Sequence, residues 1–256
     1  MQAAQALTAF DEQLRRNLRA DGPAVRIERV GDVVRQSGAG WNAIVWSDLD
    51  ETSADEAIAA QVAHFTALGQ GVEWKLYGHD RPADLGARLE AAGFVPEAQE
   101  TLMVAEVTGL ATTVTLPDGV RLARVTDPAD LQLLTRVHEQ VYGEPAHELV
   151  DGVRALLVDQ PDRVVVLVAM AGDQPVCAAR IELPVGADFA GLWGGSTVPQ
   201  WRSRGIYRAL VAARAAIAAE RGYRYLQVDA SDESRPILAR LGFTALTTTT
   251  PYILRP

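Results

Sequence analysis

Thr197-Val198-Pro199-Gln200-Trp201-Arg202-Ser203-Arg204-Gly205-Ile206-Tyr207-Arg208-Ala209-Leu210 is the stretch on which the reading of this chain turns. Strand-forming residues end at Val198, and Pro199, which has no N–H to give a ladder, stops them. A short basic turn follows, and a helix begins at about Gly205. The first four N–H groups of a helix have no internal acceptor, and the helix dipole adds partial positive charge at that end. Gly205 lets an anion approach the backbone, and Arg202 and Arg204 add charge-assisted contacts. Each such bond contributes about 1.5–3 kcal/mol. The segment therefore reads as a cradle for a polyphosphate.

Around it, the C-terminal half alternates in a readable order. Val120–Val125 reads as a strand, and Pro128–Tyr142 and Ala146–Val158 as helices. Arg163–Ala171 and Val176–Leu183 flank Gly172-Asp173-Gln174 as a hairpin, and Ala190–Val198 is the next strand. Arg204–Arg221 is a helix with Ile206, Leu210, Ala213 and Ile217 on one face. Tyr225–Ala230 is a strand, Arg235–Leu241 a short helix stopped at Gly242, and Phe243–Leu254 a last extended segment.

The N-terminal half runs through a shorter version. Leu7, Phe10, Leu14 and Leu18 predict an amphipathic helix, and Val25–Val30 and Val33–Gln36 a hairpin about Gly31-Asp32. Trp41–Leu49 is a strand, Ser53–Leu68 a helix, Glu73–Tyr77 a strand, Pro82–Ala91 a helix closed by Gly93, and Thr101–Val107 a strand. Shifting the numbering by 149 places Asp80 on Asp229, Leu89 on Leu238 and Gly93-Phe94 on Gly242-Phe243. Anchors and element order agree, so the halves read as an internal repeat. The expected domains are 1–107 and 119–256, joined by a Thr- and Gly-rich linker at 108–118.

The residues Arg202-Ser203-Arg204-Gly205-Ile206 resemble the acetyl-CoA pyrophosphate loop of the GNAT N-acetyltransferase superfamily, with Tyr207 departing where a second small residue recurs. The resemblance extends over Val158–Pro256: hairpin, fourth strand, loop and helix, fifth strand, and a motif ending in Leu-Gly-Phe. It implies an α/β (α+β) fold of two tandem GNAT-like acyl-CoA acyltransferase domains, each a mixed, mostly antiparallel sheet flanked by helices. The first copy reads as degenerate. At the same offset Arg202, Arg204 and Gly205 become Ser53, Asp55 and Glu56, and carboxylates at a helix start repel a pyrophosphate.

The resemblance further implies a function: transfer of acetyl from acetyl-CoA to a primary amine by direct attack in a ternary complex. The cofactor-binding residues it points to are Thr197 and Val198 beside the acetyl group and pantetheine, and Ser203, Arg204, Gly205, Ile206, Tyr207 and Arg208, with Arg202, around the pyrophosphate. Ser234 either bonds the cofactor or simply caps the last short helix. A protonated amine cannot attack, so a base is needed. The fourth strand offers no acid or His, and Glu182 on the neighbouring strand is the candidate catalytic residue, with Glu144, His147, Glu148 and Asp229 behind it. Leu238 stands where the family often has a general-acid Tyr, leaving Tyr207, Tyr252 or an unassisted thiolate. Trp193 and Trp201 either line an acceptor pocket or pack. The alternative reading is a non-catalytic acyl-CoA-binding sensor.

Composition sets the outer bounds. The chain has 256 residues, about 1.7 domains at ~150 residues each. Its net charge of −9, with Lys75 the only lysine, argues against a nucleic-acid or anionic-membrane surface. The partner that the resemblance implies is a small-molecule or peptide amine, taken up by a monomer or homodimer. Cys177 is the only cysteine, which excludes an intrachain disulfide, and His64, His79, His138 and His147 lack metal-ligand spacing, so no metal is expected. Gly38-Ala39-Gly40-Trp41-Asn42-Ala43 fits a dinucleotide fingerprint in letters, but strand residues follow where a helix is required. No Walker A sequence occurs, and Gly194-Gly195-Ser196-Thr197-Val198 lacks the second glycine of a nucleophile elbow. The charged first eighteen residues and the short apolar runs point to a cytoplasmic protein, and the arginine and alanine bias to a bacterial one.

Overall fold

The computed structural model describes residues 2–20, 22–38 and 41–256, with the backbone alone at 147 and 148. The chain is a mixed α/β protein, its strands mostly antiparallel and flanked by helices. It forms two compact units that interleave along the sequence. One comprises Met1–Met103, Asp229–Leu238 and Thr244–Pro256, the other Val104–Val228 and Ala239–Phe243.

The first unit opens with α1 (Ala3–Phe10), which widens over Asp11–Arg16. That widening alters the expected face. Phe10 is buried as expected, but Leu14 and Leu18 are only half-buried, and Arg15 turns inward instead. Its guanidinium donates to both oxygens of Asp80 at 2.8 and 2.7 Å, to Asp11 at 2.7 Å and to the Val45 carbonyl at 3.0 Å. Burial opposes that charge, but Asp80 holds Arg15 protonated even above its ordinary range. The strands β1 (Val25–Val30), β2 (Val33–Gly38) and β3 (Ala43–Ser47) pair antiparallel. The helix α2 (Ala54–Ala67) then carries the chain to β4 (Val72–Tyr77), parallel to β3. The helix α3 (Leu85–Ala91) and strands β5 (Val95–Pro96) and β6 (Glu100–Glu106) follow. Ile44, Ile58, Phe65, Trp74, Leu85, Leu89 and Phe94 form the core. On the edge strand β1, Arg26, Glu28 and Arg29 discourage further pairing.

The second unit has the same run of three antiparallel strands, a helix and a parallel strand, preceded by a strand and two helices. After β7 (Val120–Val125) come α4 (Gln132–Tyr142) and α5 (His147–Asp159). The expected helix from Pro128 begins instead as a tight turn over Pro128–Leu131, where Asp127 caps the Ala129 N–H. The strands β8 (Val164–Ala171), β9 (Gln174–Glu182) and β10 (Phe189–Thr197) pair antiparallel. The helix α6 (Ile206–Glu220) leads to β11 (Tyr225–Ala230), parallel to β10. All but the last residue of β8 is buried, which explains why Val164–Ala171 reads as an unbroken apolar run rather than an alternation. One sheet face, with Val164, Val166, Val168 and Ala178, packs on α4 and α5. The other, with Ala169, Cys177 and Ala179, packs on Ile206 and Leu210 of α6.

The chain then returns to the first unit. The helix α7 (Arg235–Arg240) and the strand β12 (Thr244–Leu254) follow, and β12 pairs antiparallel with β4 and with β5. Lys75 on β4 forms a buried ion pair with Asp229 at the end of β11. The two aspartates that the repeat superposes thus both hold buried cations: Asp80 holds Arg15 and Asp229 holds Lys75. Among the described residues, no helix is long and apolar enough to cross a membrane.

Candidate functional site

The site is built where β10 leaves its parallel partner. The β10–β11 register runs from Phe189–Tyr225 to Gly191–Gln227 and stops, while β10 continues beside β9 to Thr197. Within that continuation the β9–β10 register slips between Trp193 and Ser196, so Gly194 and Gly195 form a bulge. Gly194 has φ +59°, a conformation that favours glycine. A Cβ there would lie 3.3 Å from Arg180 Nη1 on one face, and a Cβ at 195 only 2.9 Å from the Tyr207 ring on the other. The two glycines let a side chain from each face close on the strand.

Beyond Thr197 a single turn over Pro199–Trp201 leads into the basic segment. Arg202 spends its Nε on the Thr197 carbonyl at 3.2 Å, tying the loop to the strand end. Ser203 has φ +61° and Gly205 φ +82°, two left-handed turns that curl the backbone before α6. The first helical bond runs from the Ala209 N–H to the Gly205 carbonyl. The six consecutive N–H groups of Ser203 to Arg208 have no acceptor among the described residues. Arg202, Arg204 and Arg208 are exposed and carry no carboxylate partner there either. Arg204 lies over the Trp201 ring at 4.7 Å, which holds its charge beside the loop. Successive unpaired N–H groups at a dipole's positive end, ringed by unpaired guanidinium groups, suit a polyanion.

The structure thus brings Thr197, Val198 and Arg202 through Arg208 together, with Val198 and Ile206 buried beneath the loop. Ser234 belongs to the other compact unit, where its hydroxyl donates to the Ser231 carbonyl at 3.3 Å in a local turn before α7. The Tyr207 side chain turns away from the loop. Its ring packs on Gly195, where burial raises its pKa and the nearby Arg214 charge pulls it back. Arg214, two turns along α6, is 1% exposed and has no carboxylate partner among the described residues. Its Nε donates to the Leu210 carbonyl and its Nη1 to the Arg180 carbonyl, but Nη2 is orphaned, and burial depresses its pKa.

On the α4 and α5 face of the fork stand Arg180, Glu182 and Trp193. Glu182 accepts a 2.7 Å bond from Arg180 Nε, so the candidate base is oriented by an ion pair. Trp193 folds back over Gly191, where a Cβ would meet its Nε1 at 2.6 Å. Trp201, by contrast, is half-buried against both cores of the unit. Of the other candidates, Glu144 is exposed, Asp229 is ion-paired to Lys75, and the side chains of His147 and Glu148 lie outside the described residues. So do Ala39 and Gly40 of the dinucleotide-like stretch, which runs into β3 rather than a helix. A cleft of about 400 Å³ lies against the start of the loop, lined by Arg136, Gln140, Val198, Gln200 and Trp201.

The equivalent place in the first unit is already filled. Before α2, the Asp50 carboxylate accepts from the N–H and hydroxyl groups of both Thr52 and Ser53 at 2.8–2.9 Å. Those four bonds hold Asp50 well below the usual carboxylate range. Asp55 is paired with Arg88 at 2.9 Å. Where the second unit presents unpaired donors, the first supplies its own anion.

Comparison with known proteins agrees with this geometry at the level of fold. No family model and no curated protein matches the sequence. Among solved structures, a GCN5-related N-acetyltransferase from Kribbella flavida superposes with a TM-score of 0.68 at 16% identity, over 98% of this chain and 93% of that one. A tandem GNAT protein from the clavulanic acid biosynthesis pathway gives 0.59 at 15% identity, over 93% and 85%. A GNAT-family protein from Novosphingobium aromaticivorans gives 0.57 at 17%, over 90% of each chain. The chain therefore has the GNAT acetyltransferase fold, and its likeness to the tandem protein runs through both halves.

Proposed function

We propose that this chain is an N-acetyltransferase that moves the acetyl group of acetyl-CoA to a primary amine. The observation that carries the reading is the run of six unpaired N–H groups, Ser203 to Arg208, placed directly after the strand that parts from β11. Acetyl-CoA, when bound, supplies a thioester and a pyrophosphate. The loop and Arg202, Arg204 and Arg208 would hold the pyrophosphate, and the β10 continuation from Leu192 to Val198 would lie along the pantetheine arm. Backbone donors on that strand would be positioned in advance for the negative charge that develops on the thioester carbonyl oxygen.

The chemistry balances with few groups. The amine nitrogen forms a bond to the acyl carbon, the carbon–sulfur bond breaks, and the thiol side leaves as thiolate or takes a proton. Glu182 at the fork receives the amine proton, directly or through water. The first unit, with Asp50 filling its own loop, is the degenerate copy in this reading. The protein works in the cytoplasm on a small-molecule or peptide amine.

The test is release of free thiol from acetyl-CoA across a panel of primary amines. Amine-dependent release that falls in an Arg202→Glu/Arg204→Glu variant supports the reading. Binding of acetyl-CoA with no release for any amine would favour a sensor instead.

A further inference from the structure

Arg180 is held in a way the transfer reaction alone does not require. It lies opposite Trp193 across the β9–β10 ladder, and Glu182 lies opposite Gly191. Its partner on the other side is Val166, whose side chain belongs to the α4 and α5 core, so Arg180 and Glu182 stand on that face. Both sit at the level where β10 and β11 part, since Gly191 is the last residue of β10 in register with Gln227. The guanidinium is 5.7 Å from the Trp193 ring centroid, and only 15% of the side chain is exposed. One nitrogen, Nε, is used by Glu182. The two terminal nitrogens have no acceptor among the described residues. Gly194 keeps the space beside Nη1 clear of a side chain.

A guanidinium backed by an aromatic ring, largely desolvated, with its forked end unpaired, suits a planar oxyanion held by two parallel bonds. Beside it, Glu182 keeps one carboxylate oxygen beyond the one that Arg180 occupies. An anion receptor and an amine acceptor therefore adjoin on one strand, two residues apart. From this we infer that the acceptor is a primary amine that also carries a carboxylate, as an α-amino acid does, with the carboxylate on the terminal nitrogens of Arg180 and the amine beside Glu182. The inference rests on the acetyltransferase reading and names the substrate class of that same site.

The experiment compares amino acids with their carboxamides and with the matching decarboxylated amines, at saturating acetyl-CoA. The expected result is a kcat/KM higher by about 10- to 100-fold for the carboxylate member, the scale of a charge-assisted pair. In Arg180→Gln that preference collapses through KM for the acceptor, with KM for acetyl-CoA unchanged, and Arg180→Lys restores part of it. Equal use of amides and acids by the wild type overturns the inference while leaving acetyl transfer standing. If no amine is turned over, the readout is thermal stabilisation by the same compounds. Stabilisation by acids but not amides, lost in Arg180→Gln, supports the site, and none by any acid overturns it. Failure to bind acetyl-CoA is a separate result, which removes the reading beneath it.

Discussion

The Tyr207 ring rests so closely on Gly195 that a Cβ at 195 would come within 2.9 Å of its Cε2 atom. The contact joins the first turn of α6 to the bulge of β10, the two elements that make the loop. Gly195→Ala is therefore expected to cost about 1–3 kcal/mol, the range for overpacking. In a Tyr207→Ala background that cost should shrink to a few tenths, because the clashing ring is gone. Urea unfolding of the four proteins checks it, and equal costs in both backgrounds would show that the contact is not the cause.

Arg214 is a buried cation with an orphaned Nη2 and, among the described residues, no carboxylate to neutralise it. Burial of a charge without a partner is unfavourable, and an apolar side chain of similar length removes that cost. Arg214→Met should therefore keep or raise stability, by up to about 4 kcal/mol. A clear fall in its melting temperature would mean that the bonds to the Leu210 and Arg180 carbonyls outweigh desolvation.

Glu100 on β6 is pushed up to about 7 by burial, with the Asp229 charge adding to the rise. A carboxyl raised in the folded state stabilises fully below its unfolded pKa, and that contribution is lost as pH rises through the folded one. Wild-type stability should consequently fall relative to Glu100→Gln between about pH 4.5 and 7, and then level off. Melting curves of both proteins from pH 4 to 9 test this. A difference that does not change with pH would contradict it.

Cys177 is fully buried, its thiol pushed up to about 11 by burial. Only the thiolate reacts quickly, so the native protein should resist alkylating reagents at pH 8, and labelling should follow unfolding. Fast labelling of the folded protein would place Cys177 outside the core.

The strand and helix order was legible because its signals are local. Pro199, the Gly172-Asp173 turn and the Ile206–Leu210 spacing each specify backbone without tertiary help. The basic loop was legible for the same reason, since its chemistry belongs to consecutive residues. Three things were hidden. The inward turn of Arg15 depends on Asp80, which lies 65 residues away. The pairing of β12 with β4 is long-range and leaves no pattern in either strand. The role of Arg180 depends on which face of β9 it occupies and on a bulge in the neighbouring strand. The adjacent glycines 194 and 195 inside a strand pattern were the available signal for that bulge.

If residues 203–208 hold the pyrophosphate of acetyl-CoA, that ligand stabilises the folded protein, and thermal unfolding with and without it reads this out. At about 100 times Kd the ligand contributes about 2.7 kcal/mol, which should raise the melting temperature by about 5–10 °C. Arg202 and Arg204 are exposed, so Arg202→Glu/Arg204→Glu should fold normally and lose most of that rise. No rise in the wild type, or an equal rise in the variant, would contradict the account.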